Sequence, residues 1–216
     1  MPRPRRTPEE IARMRERMLD AALELLREGG VEAISIRALT ERIGVSHMVF
    51  YTYFKNHDEL IHALSERQRE RISQHRAELL REAEQGNVVE VMRHSLAHYS
   101  RVAERAPRVY EMLWVHPIKP VEGFDTPDKI LASHLDHLSA LAELGMAQGA
   151  FIPRDPFLAA ATAFCIVNGP LILYHSGRIT DKALRDSLVD ESLAAAMRYL
   201  QGDTPQAPKS DPSSTE

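Results

Sequence analysis

Residues 35–64 read SIRALTERIGVSHMVFYTYFKNHDELIHAL, and the organisation of the chain can be built outward from them. Ser35 stands where a helix wants a capping hydroxyl, Leu39 and Ile43 lie four positions apart on one helical face, and Gly44 stops the run. Ser46 caps a second short helix that runs to about Tyr53. Asn56 with Glu59 three positions on is similar to a capping box and opens a long helix to about Glu84. The middle is therefore a helix, a tight turn and a helix. A glycine at such a turn tolerates positive φ, while Leu39, Ile43, Val45, Phe50 and Tyr53 supply the apolar contacts that lock the angle. Four aromatic residues (Phe50, Tyr51, Tyr53 and Phe54) crowd five positions in a chain only 6% aromatic. Spacing and apolarity assign Phe50 and Phe54 to the core, which leaves the hydroxyls of Tyr51 and Tyr53 for the outside.

Helical periodicity continues on both sides, and strand signals are weak throughout. Ile11, Met14, Met18, Ala21 and Leu25 form one apolar stripe from about Pro8 to Glu28, ended by Gly29-Gly30. Further helices are expected at Asn87–Arg105, Pro107–His116, Asp128–Leu144 (ending at Gly145) and Asp181–Leu200, with a proline- and glycine-rich loop between the second and third. Asp155-Pro156 is a cap followed by a proline suited to the first helical position. It opens a stretch from Pro156 to Gly177 without formal charge. Pro170 should kink or unwind that helix, which would either shape a cavity wall or serve packing alone. The expectation is an all-α protein of about nine helices. Residues 1–57 form a three-helix head with a basic N-terminal arm, MPRPRR, and 58–201 a larger helical domain. The polar tail at 202–216 has too little to bury to fold.

The 216 residues carry 44% hydrophobic and 27% charged side chains and a net charge of −4, with pI about 6.2. That balance argues against coating nucleic acid or membrane through bulk positive charge, though not against a local basic surface. Residues 1–60 hold ten Lys/Arg and ten Asp/Glu, so any nucleic-acid binding depends on their placement. One cysteine, Cys165, excludes an intrachain disulfide and fits a reducing cytoplasm. In its apolar run it reads as an inert buried thiol. The uncharged stretch approaches membrane-spanning length. Asn168, Gly169, Pro170 and His175 favour instead a soluble helix buried on nearly all sides, as at a dimer contact.

The run at 35–64 resembles the DNA-binding head of the TetR (tetracycline-repressor) family, over roughly residues 10–65. Ser35, Arg37, Gly44, Val45, Ser46, Tyr51, Tyr53, Phe54 and Leu60 carry the resemblance. It implies a helix-turn-helix whose recognition helix enters a major groove, with His47, Met48 and Val49 at base edges. It places Ser35, Arg37, Ser46, Tyr51, Thr52, Tyr53, Lys55 and His57 at or near phosphates. Three departures stand out. Thr40 replaces a small alanine, Val49 replaces a hydroxyl-bearing residue, and His57 takes a position often held by lysine, making one phosphate contact pH-dependent. The resemblance further implies a homodimer on a near-palindromic operator. The helices at about 156–176 and 181–200 would pair as a four-helix bundle, and a small effector in the larger domain would release the DNA.

Tyr99, Tyr110, Met112, Trp114, His116, His134, His137, Phe164, Asn168 and Tyr174 are the candidate ligand residues, a mixture of apolar wall and polar fixing points. Stripes of this kind also build plain cores. A rival reading is a metal-responsive regulator, with His94 and His98 at i, i+4 on one helix and His134, Asp136 and His137 on another. Another is a helical interaction or scaffold protein whose head binds protein. No metalloprotease, nucleophile-elbow or phosphate-loop pattern is present, so neither an enzyme nor a cofactor is expected.

Overall fold

The computed structural model describes residues 7–73, 76–117 and 119–202, apart from the side chains of residues 72 and 73. The basic arm at 1–6 and the tail from 203 lie outside the described residues. Every regular element among the described residues is helical: α1 (Pro8–Gly29), α2 (Ile36–Ile43), α3 (His47–Phe50), α4 (His57–Ser73), α5 (Arg76–Glu82), α6 (Val88–Arg105), α7 (Pro107–Trp114), α8 (Pro127–Ala147), α9 (Pro156–His175) and α10 (Lys182–Gln201). The all-α expectation holds.

Local chemistry explains most boundaries. Thr7 and Glu10 form a reciprocal capping box at the start of α1. Ser35 accepts from the Ala38 N–H at 3.1 Å, Asp155 from Leu158 at 2.7 Å, and Asp181 from Ala183 at 2.8 Å. Gly44 adopts φ 69°, ψ 38° and ends α2, the left-handed conformation that a side chain resists. Asn56 accepts from the Glu59 N–H at 2.8 Å. The Glu59 carboxylate accepts from Lys55 N–H at 2.6 Å, one residue earlier than a capping box requires.

Two elements differ from expectation. α8 runs through Gly145 to Ala147 because the glycine is a packing gap. A Cβ there would lie 2.1 Å from the Phe151 ring. α9 stays helical from Pro156 to His175, Pro170 included, so proline does not unwind it. Neighbours bury Pro170 and Asn168, and packing outweighs the lost backbone bond.

Three apolar clusters organise the molecule. The head core gathers Met18, Leu19, Leu26, Leu39, Phe50, Phe54, Leu60 and Leu64 from α1 to α4, joined by Val109, Met112 and Leu113 of α7. A second core packs α6, α8, α9 and α10 through residues such as Leu96, Leu138, Leu141, Ala163 and Met197. A small third cluster holds Ala103, Tyr110, Leu171 and Val189. Trp114 packs against all three.

Candidate nucleic-acid interface and small-molecule cavity

The recognition segment is held from beneath. Phe50 and Phe54 are fully buried and stacked at 5.7 Å between ring centres. The Arg15 guanidinium of α1 lies 4.2 Å from the Phe54 ring centre and donates to the Tyr53 carbonyl at 2.8 Å. Arg42 makes two 2.7 Å bonds to Glu28, joining α2 to α1. Thr40 is buried, and its hydroxyl donates to the Ile36 carbonyl at 2.8 Å. The departure from alanine therefore leaves no unsatisfied polar group.

His47, Met48, Tyr51, Thr52 and Lys55 stand out from this base as exposed residues. Met48 is 75% and Tyr51 48% exposed, and the His47 and Tyr51 rings meet edge-on at 5.5 Å. Large apolar area left open beside hydroxyls and a cation suits a surface that meets bases and phosphates. Val49 is half-buried and packs on the head core. Tyr53 is 8% exposed, less open than expected of a phosphate contact.

Ser35 caps α2, so its hydroxyl already serves the backbone. Ser46 is exposed and makes no side-chain cap bond. Arg37 is exposed and uses Nε on Glu41 at 2.8 Å. His57 Nε2 lies 2.6 Å from the Ile34 carbonyl, which ties α4 to the approach to α2. Its place is structural as well as near the surface.

Four of the expected ligand residues do converge. Tyr99, Trp114, His134 and His137 line a cavity of about 300 Å³ together with Arg76, Leu79, His94, Ser95, His98, Val102 and Leu138. Trp114 meets His134 at 4.4 Å, Phe164 at 4.9 Å and Tyr99 at 5.8 Å between ring centres, an aromatic wall. Phe164 thus backs the wall from the second core. The others fall elsewhere. Tyr110 and Asn168 form a buried pair, with the Tyr110 hydroxyl donating to Asn168 Oδ1 at 2.6 Å. Burial pushes that phenol up. Met112 and His116 line a separate small depression with His62 and Lys119. Tyr174 lies beneath the Arg185 guanidinium, 4.8 Å from its ring centre.

Electrostatics in the cavity are one-sided. Burial, with Arg69 and Arg76 nearby, pushes His134 down to about 3. Burial and Arg76 push His137 down to about 4. His98 is also lowered by burial, with Arg101, His94, Arg76 and Arg105 contributing. Burial pushes Tyr99 up to about 12. These side chains are neutral at pH 7. His137 Nε2 lies 3.2 Å from Ser95 Oγ, while its Nδ1 and the Nε2 of His98 are buried with no partner.

His94, His98, His134 and His137 share one cavity, yet among the described residues no three His, Cys, Asp or Glu side chains group closely enough to hold a metal. Asp136 is exposed. Cys165 is exposed on α9, contrary to the buried thiol expected. Arg76 and Ser95 were not anticipated. Ser95 falls between the paired histidines of α6, but nothing in the sequence marks Arg76.

Residues 18–64 match the family described as bacterial regulatory proteins, tetR family. The match covers the helix-turn-helix and the helices that flank it. The tetracycline repressor protein class C of Escherichia coli is 44% identical over 52 residues, 24% of this chain and 24% of the repressor. The match therefore spans about a quarter of that relative. Two solved structures share the fold over most of the chain. One is a transcriptional regulator FadR from Bacillus subtilis in complex with stearoyl-CoA, at 18% identity and TM-score 0.65 over 88% of this chain and 99% of that one. The other is RolR in complex with resorcinol, at 22% identity and TM-score 0.63 over 90% of each chain.

Proposed function

We propose that this protein is a ligand-responsive transcriptional repressor that binds a near-palindromic DNA operator as a homodimer and is released by a small, partly apolar effector. Trp114 carries the reading: it lines the cavity and also packs on the head core. A ligand that moves this ring acts directly on the seat of α7, whose Val109, Met112 and Leu113 belong to the same core as the recognition segment. The effector must bind one arrangement of the heads better than the other. RolR holds resorcinol and FadR holds stearoyl-CoA. At about 300 Å³, this cavity suits a ligand nearer the former in size.

On this reading residues 1–57 are the DNA-binding part and 58–201 the effector and dimer part, although α7 lends the head some of its core. The protein works in the cytoplasm, without catalysis and without a cofactor. α9 is long and apolar enough to cross a membrane by length and composition. A dimer contact accounts for its exposed side.

Tyr51→Ala and Lys55→Ala test the docking. Both side chains are exposed, so the fold should survive. Each should weaken specific binding to DNA from upstream of the protein's own gene by roughly tenfold or more. Mobility shifts across a salt series measure this, and unchanged binding in both variants would remove the proposed interface.

A further inference from the structure

The cavity behind Trp114 has a chemical bias that the repressor reading leaves open. Among the described residues no carboxylate lines it. Glu66, Glu70 and Asp125 line an adjoining depression with Arg69, and that depression shares Arg76 and His134 with the cavity. Arg76 donates to the Ser133 carbonyl at 3.1 Å and has no ion-pair partner among the described residues. His137 is buried and its Nδ1 has no partner. A buried polar atom left unpaired is costly, so a ligand that pairs it binds more tightly. The opposite wall, Trp114 and Tyr99, is aromatic.

We propose that this cavity takes a compact carboxylic acid in its anionic form, its apolar body against Trp114 and Tyr99 and its carboxylate between Arg76 and His137. The proposal rests on the reading of the cavity as an effector site. The carboxylate selects the His137 tautomer with hydrogen on Nδ1, and Ser95 then donates its hydroxyl to Nε2. Arg76 supplies charge and up to two aligned donors, which lowers the cost of bringing an anion out of water. A cation meets the opposite field, since beside burial the guanidinium groups that shift His98, His134 and His137 belong to Arg69, Arg76, Arg101 and Arg105. A neutral ligand gains no charge-assisted bond from the guanidinium.

Trp114 is the chain's single tryptophan, so its fluorescence reports occupancy directly. The full-length protein is titrated with phenylacetate and 3-phenylpropionate, and in parallel with their primary amides. The acids should bind at least tenfold more tightly than the amides. Arg76→Gln should erase that preference, Arg76→Lys should restore part of it, and His137→Gln should reduce it with helicity unchanged by circular dichroism. Equal binding of acid and amide, no binding of either, or a preference that survives Arg76→Gln overturns the proposal. Mobility shifts on the upstream DNA separate the two levels of inference. Acids that bind yet leave the DNA complex intact uphold the ligand class and defeat the effector reading. Amides that bind equally and release DNA do the reverse.

Discussion

His134 and His137 behave differently in the fold from histidines in an unfolded chain. Each is buried, and each is pushed down, to about 3 and about 4. An ordinary histidine titrates near 6.5. Between those limits the unfolded state binds more protons than the folded one, so stability rises with pH. Their contribution is complete above about pH 6.5 and is lost as acid approaches the folded values. Each pH unit is worth about 1.4 kcal/mol per fully titrating group, so acidification from pH 6.5 to 5 should cost at most about 2 kcal/mol per histidine. Urea unfolding at both pH values measures it, and His134→Phe should flatten the profile. A slope unchanged in that variant would place the acid sensitivity elsewhere. Gly44 makes a simpler case. Its left-handed backbone has open space around it, so Gly44→Ala should cost only the conformational penalty, about 1–2 kcal/mol.

At the scale of elements, Gly145 and Phe151 decide how α8 ends. The aromatic ring occupies the place of the missing side chain, and the next residue donates its N–H to the Leu200 carbonyl of α10 at 2.9 Å. Gly145→Ala must push back a buried ring or bend α8, at about 1–3 kcal/mol, even though alanine is the better helix former. Chemical denaturation should show a loss, whereas a gain would mean the ring moves freely. This position also marks the limit of what the sequence conveys. Glycine stops helices when solvent surrounds it, and nothing local announces a ring arriving from six residues on. Caps at Ser35 and Asp155 were legible because their partners lie three residues away. Phe50 and Phe54 were legible from spacing, whereas Tyr53 read both as packing and as a phosphate contact, because its burial depends on α1. The cavity was half legible for the same reason. Aromatic and histidine residues announce themselves by type, but Arg76 joins them only through the packing of α5 against α6 and α8.

At the scale of the whole molecule, the open question is what covers α9. Leu158 is 61% exposed, Leu173 41%, and Cys165 between them is exposed as well. Intervals of seven and eight residues put these three on one face of the helix. Leu184 of α10 adds a further exposed apolar side chain at 49%. α9 and α10 pack on each other, which makes the pair a two-helix surface able to meet its own copy as a four-helix bundle. Covering a leucine stabilises by about 1.5–3 kcal/mol, and twofold symmetry counts each position twice. Leu158→Glu with Leu173→Glu should therefore convert the proposed dimer to a folded monomer, as seen by sedimentation at micromolar concentration with unchanged helicity. A single head reaches only one half-site, and half-site contacts are too few to hold a specific address. Operator affinity should fall by at least a hundredfold in the same variant, while the fluorescence titration of Trp114 stays as in the parent. A variant that remains dimeric would move the contact to another face, and one that binds DNA fully as a monomer would break the link between symmetry and recognition.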